Sequence, residues 1–242
     1  MGKNVVEVRG LIKDFPIGGR TFRALKGITA SIERGEFMGL VGPSGSGKTT
    51  LLNIIGGLDT PTEGSVSVLG SSIIGKSNKE LAALRRDGIG FIFQGYNLLP
   101  VYTVYENVEF PLLLLDIDSN ERDKMVLEAI EWVDLSDKIN SKPTQLSGGE
   151  SQRVAIARSI VKRPPLVIAD EITANLDAKN SHRIMKILLG LNKEIRTTFI
   201  FATHDEKVMS YLSRIINLVD GKIDSDKHFD IQELREKSDA DI

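Results

Sequence analysis

The sequence predicts an α/β fold built on a mainly parallel sheet, and three observations point to it. Short β-type runs alternate with helical stretches along most of the 242 residues. Two of those runs, "LVIA" and "FIFA", are apolar at every position, as expected of parallel strands covered on both faces. Between about Asn97 and Arg163 the β-branched runs thin out and helical patterns take over, which reads as a helical insert.

The elements follow in order. Strand-like runs are "VVEVRG", "ITASIE", "FMGLVG", "SVSVLG", "IGFIFQ", "PLVIAD", "TTFIFATH" and "RIINLVDG". After "FMGLVG" comes a polar loop and then "TTLLNII", a helix with one apolar face. The insert contains the helical pattern "NERDKMVLEAIEWVDL". From Asn180 to Ile195 the apolar residues Ile184, Ile187, Leu188 and Leu191 recur at steps of three and four, an amphipathic helix covering the sheet. The stretch after Gly221 is short and charged, and is expected to fray. No repeat or low-complexity segment interrupts this plan, and 242 residues allow one large domain or two small ones.

Composition narrows the function. Lys plus Arg number 31 and Asp plus Glu 33, leaving a formal charge of −2 and no basic surplus of the kind a duplex-binding domain carries; no nucleic-acid partner is expected. There is no cysteine, so disulfides and thiolate metal sites are excluded. "MGKNVVEVRG" has no apolar core of a signal peptide, and Val6 stands where a myristoylation pattern needs Ser or Thr. The most apolar window, "FPLLLLDI", falls far short of the roughly 20 residues that cross a bilayer. A cytoplasmic protein without direct membrane insertion is expected.

The loop "VGPSGSGKTT" carries the first chemistry. Gly42, Gly47, Lys48 and Thr49 satisfy G-x-x-x-x-G-K-[ST], with Pro43, Ser44, Gly45 and Ser46 between them and Thr50 after. Such a loop aims its backbone N–H groups inward at phosphate oxygens, and glycines permit that path. The helix that follows turns its positive end to the phosphates, Lys48 adds a charge, and the Thr49 hydroxyl can ligate Mg²⁺. The pattern predicts that the loop binds phosphate groups. The second feature is Asp170 with Glu171 at the end of "PLVIADE". Where a buried strand ends and the chain turns, both carboxylates can reach the crevice beyond the sheet. Asp170 would hold Mg²⁺, directly or through water, and Glu171 would polarise an attacking water as general base.

With these in place the chain resembles, from end to end, the ATP-binding cassette family of transporter ATPases. "GPSGSGKTT" is similar to its Walker A loop, "LVIADE" to its Walker B strand and "LSGGE" at 146–150 to its signature sequence. Gln94 resembles the Q-loop residue, "ANLD" at 174–177 the D-loop, and His204 the switch histidine. The resemblance implies a single domain over residues 1–242, with a P-loop NTPase core of residues 1–94 and 164–242, an antiparallel β part near the N-terminus, and a helical subdomain over about 95–163. It implies an aromatic at Phe15 stacked on adenine, with Phe22 the lesser candidate. It places Gln94 near Mg²⁺ and the attacking water, and His204 on the γ-phosphate. The signature, Ser147, Gly148 and Gly149, would face ATP held by a second copy, so the implied active unit is an ATP-dependent head-to-tail homodimer. Ser147 reads equally as an N-cap, and Asp177 as a dimer contact or as a cap. His182 and His228 read as solvated.

Two residues depart from the family pattern: Glu150, where Gln is commoner, sets a negative charge near the γ-phosphate, and Ile172 replaces a usual Pro. "FQGYNLLPVYTVYENVEFPLLL" most resembles the subgroup of lipoprotein release, macrolide export and cell division. That implies a separate transmembrane permease as partner and a peripheral place on the cytoplasmic face of the membrane. Leu98, Leu99, Pro100 and Tyr102 are then either a docking face for a cytoplasmic helix of that permease or ordinary packing. Two uses remain open: export or extraction of a lipoprotein or amphiphile, and an ATP-gated mechanical switch acting on a partner outside the cell.

Overall fold

The computed structural model describes residues 3–229. Two sheets form its frame. The first is antiparallel, in the order β2-β1-β4-β5, from β1 (Asn4–Ile17), β2 (Arg20–Glu33), β4 (Glu63–Val68) and β5 (Ser71–Ser72). The second has the order β10-β9-β3-β8-β7-β6, from β3 (Phe37–Val41), β6 (Ile89–Phe93), β7 (Leu166–Asp170), β8 (Thr198–Thr203), β9 (Arg214–Val219) and β10 (Lys222–His228). Every pairing in it is parallel except β10 with β9.

The uninterrupted apolar runs are explained by what lies on each side. In β8, Phe199 and Phe201 join one core and Ile200 and Ala202 the other; in β7, Val167 and Ala169 alternate with Leu166 and Ile168 in the same way. One core is closed by the antiparallel sheet and by α1 (Lys48–Ile55), which contributes Leu51, Leu52, Ile54 and Ile55. The other is closed by α3 (Val104–Glu109), α4 (Ser119–Trp132), α5 (Gly148–Ile160), α6 (Ala178–Ile195) and α7 (Glu206–Met209). Phe37 meets Phe201 edge-on at 4.7 Å in its centre, and a fully buried aromatic of this kind is worth about 3 kcal/mol or more over alanine. Parallel strands with both faces covered have no position at which a polar residue is cheap.

The predicted strands are all present, and the chain from Phe93 to Leu166 carries helices and 3₁₀ turns only. Three features differ from expectation. The antiparallel hairpin extends to Ile17 and Arg20, because Gly18 and Gly19 both take positive φ at its tip. A further helix, α2 (Asn78–Gly88), precedes β6; Ser77 and Glu80 cap it reciprocally, the Ser-x-x-Glu signal that marks a helix start. The tail expected to fray is ordered through residue 228 as β10, where Arg214 of β9 holds Asp226 at 2.7 Å and also reaches Glu36 at 3.0 Å. Residues 230–242, the rest of that tail, lie outside the described residues.

Candidate active site

Four strands of the parallel sheet end at one level. Val41 of β3 pairs with Thr203 of β8, Ala202 of β8 with Asp170 of β7, and Asp170 with Phe93 of β6. The residues that follow, Gly42, His204, Glu171 and Gln94, therefore leave the carboxyl edge side by side, where an open α/β sheet forms its crevice.

The loop from Gly42 to Gly47 curls over the start of α1. A Cβ on Gly42 would sit 2.0 Å from the Leu218 carbonyl oxygen, so only glycine lets the chain pass beside β9. Gly47 is the N-cap in a left-handed conformation and no side chain caps the helix, which leaves the first-turn N–H groups open to the crevice. The first turn contains no acid, so its positive end faces the loop uncancelled. Lys48 is 6% exposed, and its ammonium donates to the carbonyls of Gly42 at 2.7 Å and Pro43 at 3.0 Å. Pro43, Ser44, Gly45 and Thr49 are exposed, Thr50 half-buried, and the Ser46 hydroxyl buried without a hydrogen-bond partner.

Asp170 and Glu171 separate at the strand end. Asp170 Oδ1 is buried with no hydrogen-bond partner. Burial pushes the Asp170 carboxyl up, against the opposing pull of the Thr49 hydroxyl; Glu171 adds to the rise and Lys48 opposes it. An orphaned carboxylate oxygen beside a threonine hydroxyl is a donor set for a hard cation. Among the described residues no cluster of three or more acidic, His or Cys side chains could hold a metal alone. That fits Mg²⁺, which takes one or two protein oxygens and fills its shell with phosphate and water. Glu171 has φ of +47°, a left-handed turn in a non-glycine residue that costs on the order of 1 kcal/mol. Its N–H donates to Ala202 O at 2.9 Å, and its Oε1 lies 3.2 Å from His204 Nδ1.

Ile172 does not derail the chain: its side chain is buried in the helix-side core, and Thr173 Oγ1 donates to Asp205 at 3.1 Å. Asp177 then caps α6 by accepting from Asn180 N at 2.8 Å, so its cap geometry is present. Gln94 is exposed, and its carbonyl accepts from Asn175 of the same segment at 3.4 Å. Asp205 and Asn175 carry no sequence signal beyond their place, Asp205 directly after "FATH" and Asn175 within "ANLD".

The signature lies apart from this crevice. Ser147 caps α5 and shares a capping box with Glu150, whose carboxylate accepts from Ser147 N at 2.7 Å. That N–H and the Ser147 hydroxyl hold Glu150 below its usual carboxyl range. Ser147 and Gly148 are exposed, while Gly149 is buried against Asn180, whose Oδ1 would be 2.8 Å from a Cβ there. Among the described residues no hydrogen bond joins Ser147, Gly148 or Gly149 to the phosphate loop. Phe15 stands on β1 opposite Phe22 of β2. It is half-buried, with the Lys13 ammonium 4.9 Å from its ring centre, whereas Phe22 is 52% exposed. The face near Leu98 divides: Leu98 packs on the helix-side core, while Leu99 lines a cavity of about 490 Å³ with Leu58, Phe91, Phe110 and Leu114. His182 is not simply solvated, since its Nδ1 lies 2.9 Å from the Tyr211 hydroxyl.

A family model described as "ABC transporter" matches residues 25–174. The chain belongs to the ABC transporter family. The cassette is 42% identical to the uncharacterized ABC transporter ATP-binding protein MJ0796 of Methanocaldococcus jannaschii, over 92% of this chain and 97% of that one. A solved structure of MJ0796, a dimer in a post-hydrolysis state bound to ADP and Pi, superposes with TM-score 0.85 and covers 92% of this chain and 98% of that one. The lipoprotein-releasing system ATP-binding protein LolD of Bacteroides thetaiotaomicron is 38% identical over 92% of this chain and 100% of its own length. The macrolide export ATP-binding/permease protein MacB of Bdellovibrio bacteriovorus is 43% identical over 92% of this chain but only 34% of its own length. The cassette is thus an ABC ATPase subunit of the LolD and MacB type, with the P-loop NTPase fold. No helix among the described residues is long and apolar enough to cross a membrane.

Proposed function

We propose that this cassette binds and hydrolyses Mg·ATP to power a separate membrane permease, closing as a head-to-tail dimer around two nucleotides, in the extraction or export of a lipoprotein or other amphiphile. The observation that carries the catalytic reading is the 3.2 Å contact of His204 with Glu171, beside the orphaned Asp170 oxygen and at the level where the phosphate loop leaves the sheet. In this reading Gly42 to Thr50 cradle the phosphates by backbone N–H groups, and Lys48 leaves the loop carbonyls for the β- and γ-phosphates. Thr49, Asp170 and Gln94 hold Mg²⁺, which when bound neutralises charge on the phosphates. Glu171 takes a proton from the attacking water, and His204 orients that water and the γ-phosphate. Phe15 stacks on the adenine.

Ser147, Gly148 and Gly149 complete the site of the second copy; the dimeric state of MJ0796 supports this arrangement. Residues 1–94 and 164–242 act as the nucleotide-binding body and about 95–163 as a helical body. The LolD and MacB likenesses favour the substrate class. The permease would meet the apolar cavity beside Leu99 and keep the cassette at the cytoplasmic face.

The test is Glu171→Gln, followed by size-exclusion with light scattering and by phosphate release. Binding of ATP, loss of about a thousandfold or more in turnover, and an ATP-trapped dimer are expected. Normal turnover would remove Glu171 from the role of base.

A further inference from the structure

The turn after Gln94 has an uncommon backbone. Tyr96 and Asn97 are both left-handed, with φ of +58° and +50°, a state that two successive non-glycine residues keep only where their surroundings hold them. Arg158, on α5, does so: Nη1 donates to Asn97 O at 2.6 Å and Nη2 to Tyr96 O at 2.7 Å. Arg158 has no carboxylate partner among the described residues, and its burial pushes its pKa down, so its position is maintained by these carbonyls. A guanidinium offers separate donors in a rigid planar fork, whereas an ammonium shares its donors from one rotatable nitrogen and fixes the orientation of the turn less tightly. The same turn meets the other end of α5, where the Tyr96 hydroxyl lies 3.1 Å from the position of a Cβ on Gly148. Asn97, Leu99 and Arg158 also line the 490 Å³ cavity, so whatever enters it touches this turn.

We propose that Arg158 is a positioning residue for Gln94: it locks the Tyr96–Asn97 turn to α5, so that Gln94 and the Ser147–Gly149 segment are carried as one body. This rests on the reading of Gln94 given above. A clamp of this kind acts on the placement of a catalytic group, so its loss lowers turnover more than nucleotide affinity, and a small misplacement is enough.

The experiment is a double-mutant cycle of Arg158→Met and Gln94→Ala, with kcat and KM for ATP measured on each purified protein and folding checked by circular dichroism. Arg158→Met is expected to lower kcat about tenfold with KM within about twofold, and the double variant to be no slower than Gln94→Ala. Arg158→Lys is expected to lower kcat as well, because it keeps the charge but not the fork. Unchanged kcat in folded Arg158→Met, a rise in KM alone, or effects that add fully in the double variant would each overturn the proposal. Should Arg158→Met not fold, Arg158→Lys takes its place in the cycle; if neither folds, Arg158 serves folding alone and the proposal fails. Normal turnover by Gln94→Ala would instead overturn the reading of Gln94, which the cycle reports separately.

Discussion

Phe15 and Phe22 are cross-strand neighbours, yet they differ in what surrounds them. Phe15 is half-buried with a cation near its ring, and that cation is fixed by Asp59 at 2.6 Å. A ring held in place loses little entropy when a base stacks on it. Phe15→Ala should raise KM for ATP about fivefold, on the order of 1 kcal/mol, while Phe22→Ala leaves it unchanged; steady-state kinetics of both variants decides between them. Asp170 allows a test in the absence of nucleotide. Its carboxyl is raised in the folded protein, so the ionised form is penalised by folding above that raised value, and the penalty is absent below the ordinary carboxylate range. Asp170→Asn should therefore raise the melting temperature of the nucleotide-free protein at neutral pH, with the gain vanishing as pH falls through that range. The same substitution should abolish stabilisation by Mg·ATP. A variant that melts lower than the parent at neutral pH would contradict the cost of burying the carboxylate, and undiminished stabilisation by Mg·ATP would contradict its role. Of these residues, Asp170 and Glu171 were legible in "LVIADE", but the left-handed φ of Glu171 was not: it follows from the bond between its N–H and Ala202 on the neighbouring strand.

At the scale of elements, α5 carries two loads. It contributes Val154, Ile156, Ala157 and Ile160 to the helix-side core and exposes Ser147 at its first turn. Glu150 stabilises that start through the capping box, worth about 1 kcal/mol, and sets a negative charge where a phosphate is expected. Glutamine can close the same box without the charge. Glu150→Gln should therefore lower the ATP concentration that half-saturates dimer formation about threefold, with little change in melting temperature; a weaker dimer would show that the carboxylate is not opposed to the nucleotide. The loop from Leu98 to Thr103 is fixed by a residue the sequence does not advertise. Asn107 is fully buried, and its amide bonds both the N–H and the carbonyl of Leu99 as well as the carbonyls of Tyr102 and Thr103. Polar residues on helices are ordinarily solvated, so only packing against the core identified this one.

At the largest scale, the phosphate loop and the signature sit on different elements with no hydrogen bond between them among the described residues, so a complete site in the proposed dimer takes one part from each copy. Lys48→Ala and Ser147→Arg should each lack turnover alone, and a mixture of the two should recover it. The mixed dimer contains one site with both its loop and its signature intact. Phosphate release from the mixture, compared with the separate proteins, measures this; no recovery would place the whole site within one chain.

The sequence by itself determined the strand runs, the glycine-rich loop before a helix, the carboxylate pair at a strand end and the family, because each is a local requirement. A phosphate cradle needs glycines at fixed spacing, and a strand covered on both faces needs apolar residues throughout. The tertiary structure alone decided that Val41 and Phe93 end level with Thr203 and Asp170, and that Lys222–His228 pairs as a strand despite its charge. It also decided that Arg158 reaches the turn after Gln94 across 61 residues of sequence. Those facts depend on register and on partners distant in the chain, and local composition does not encode them.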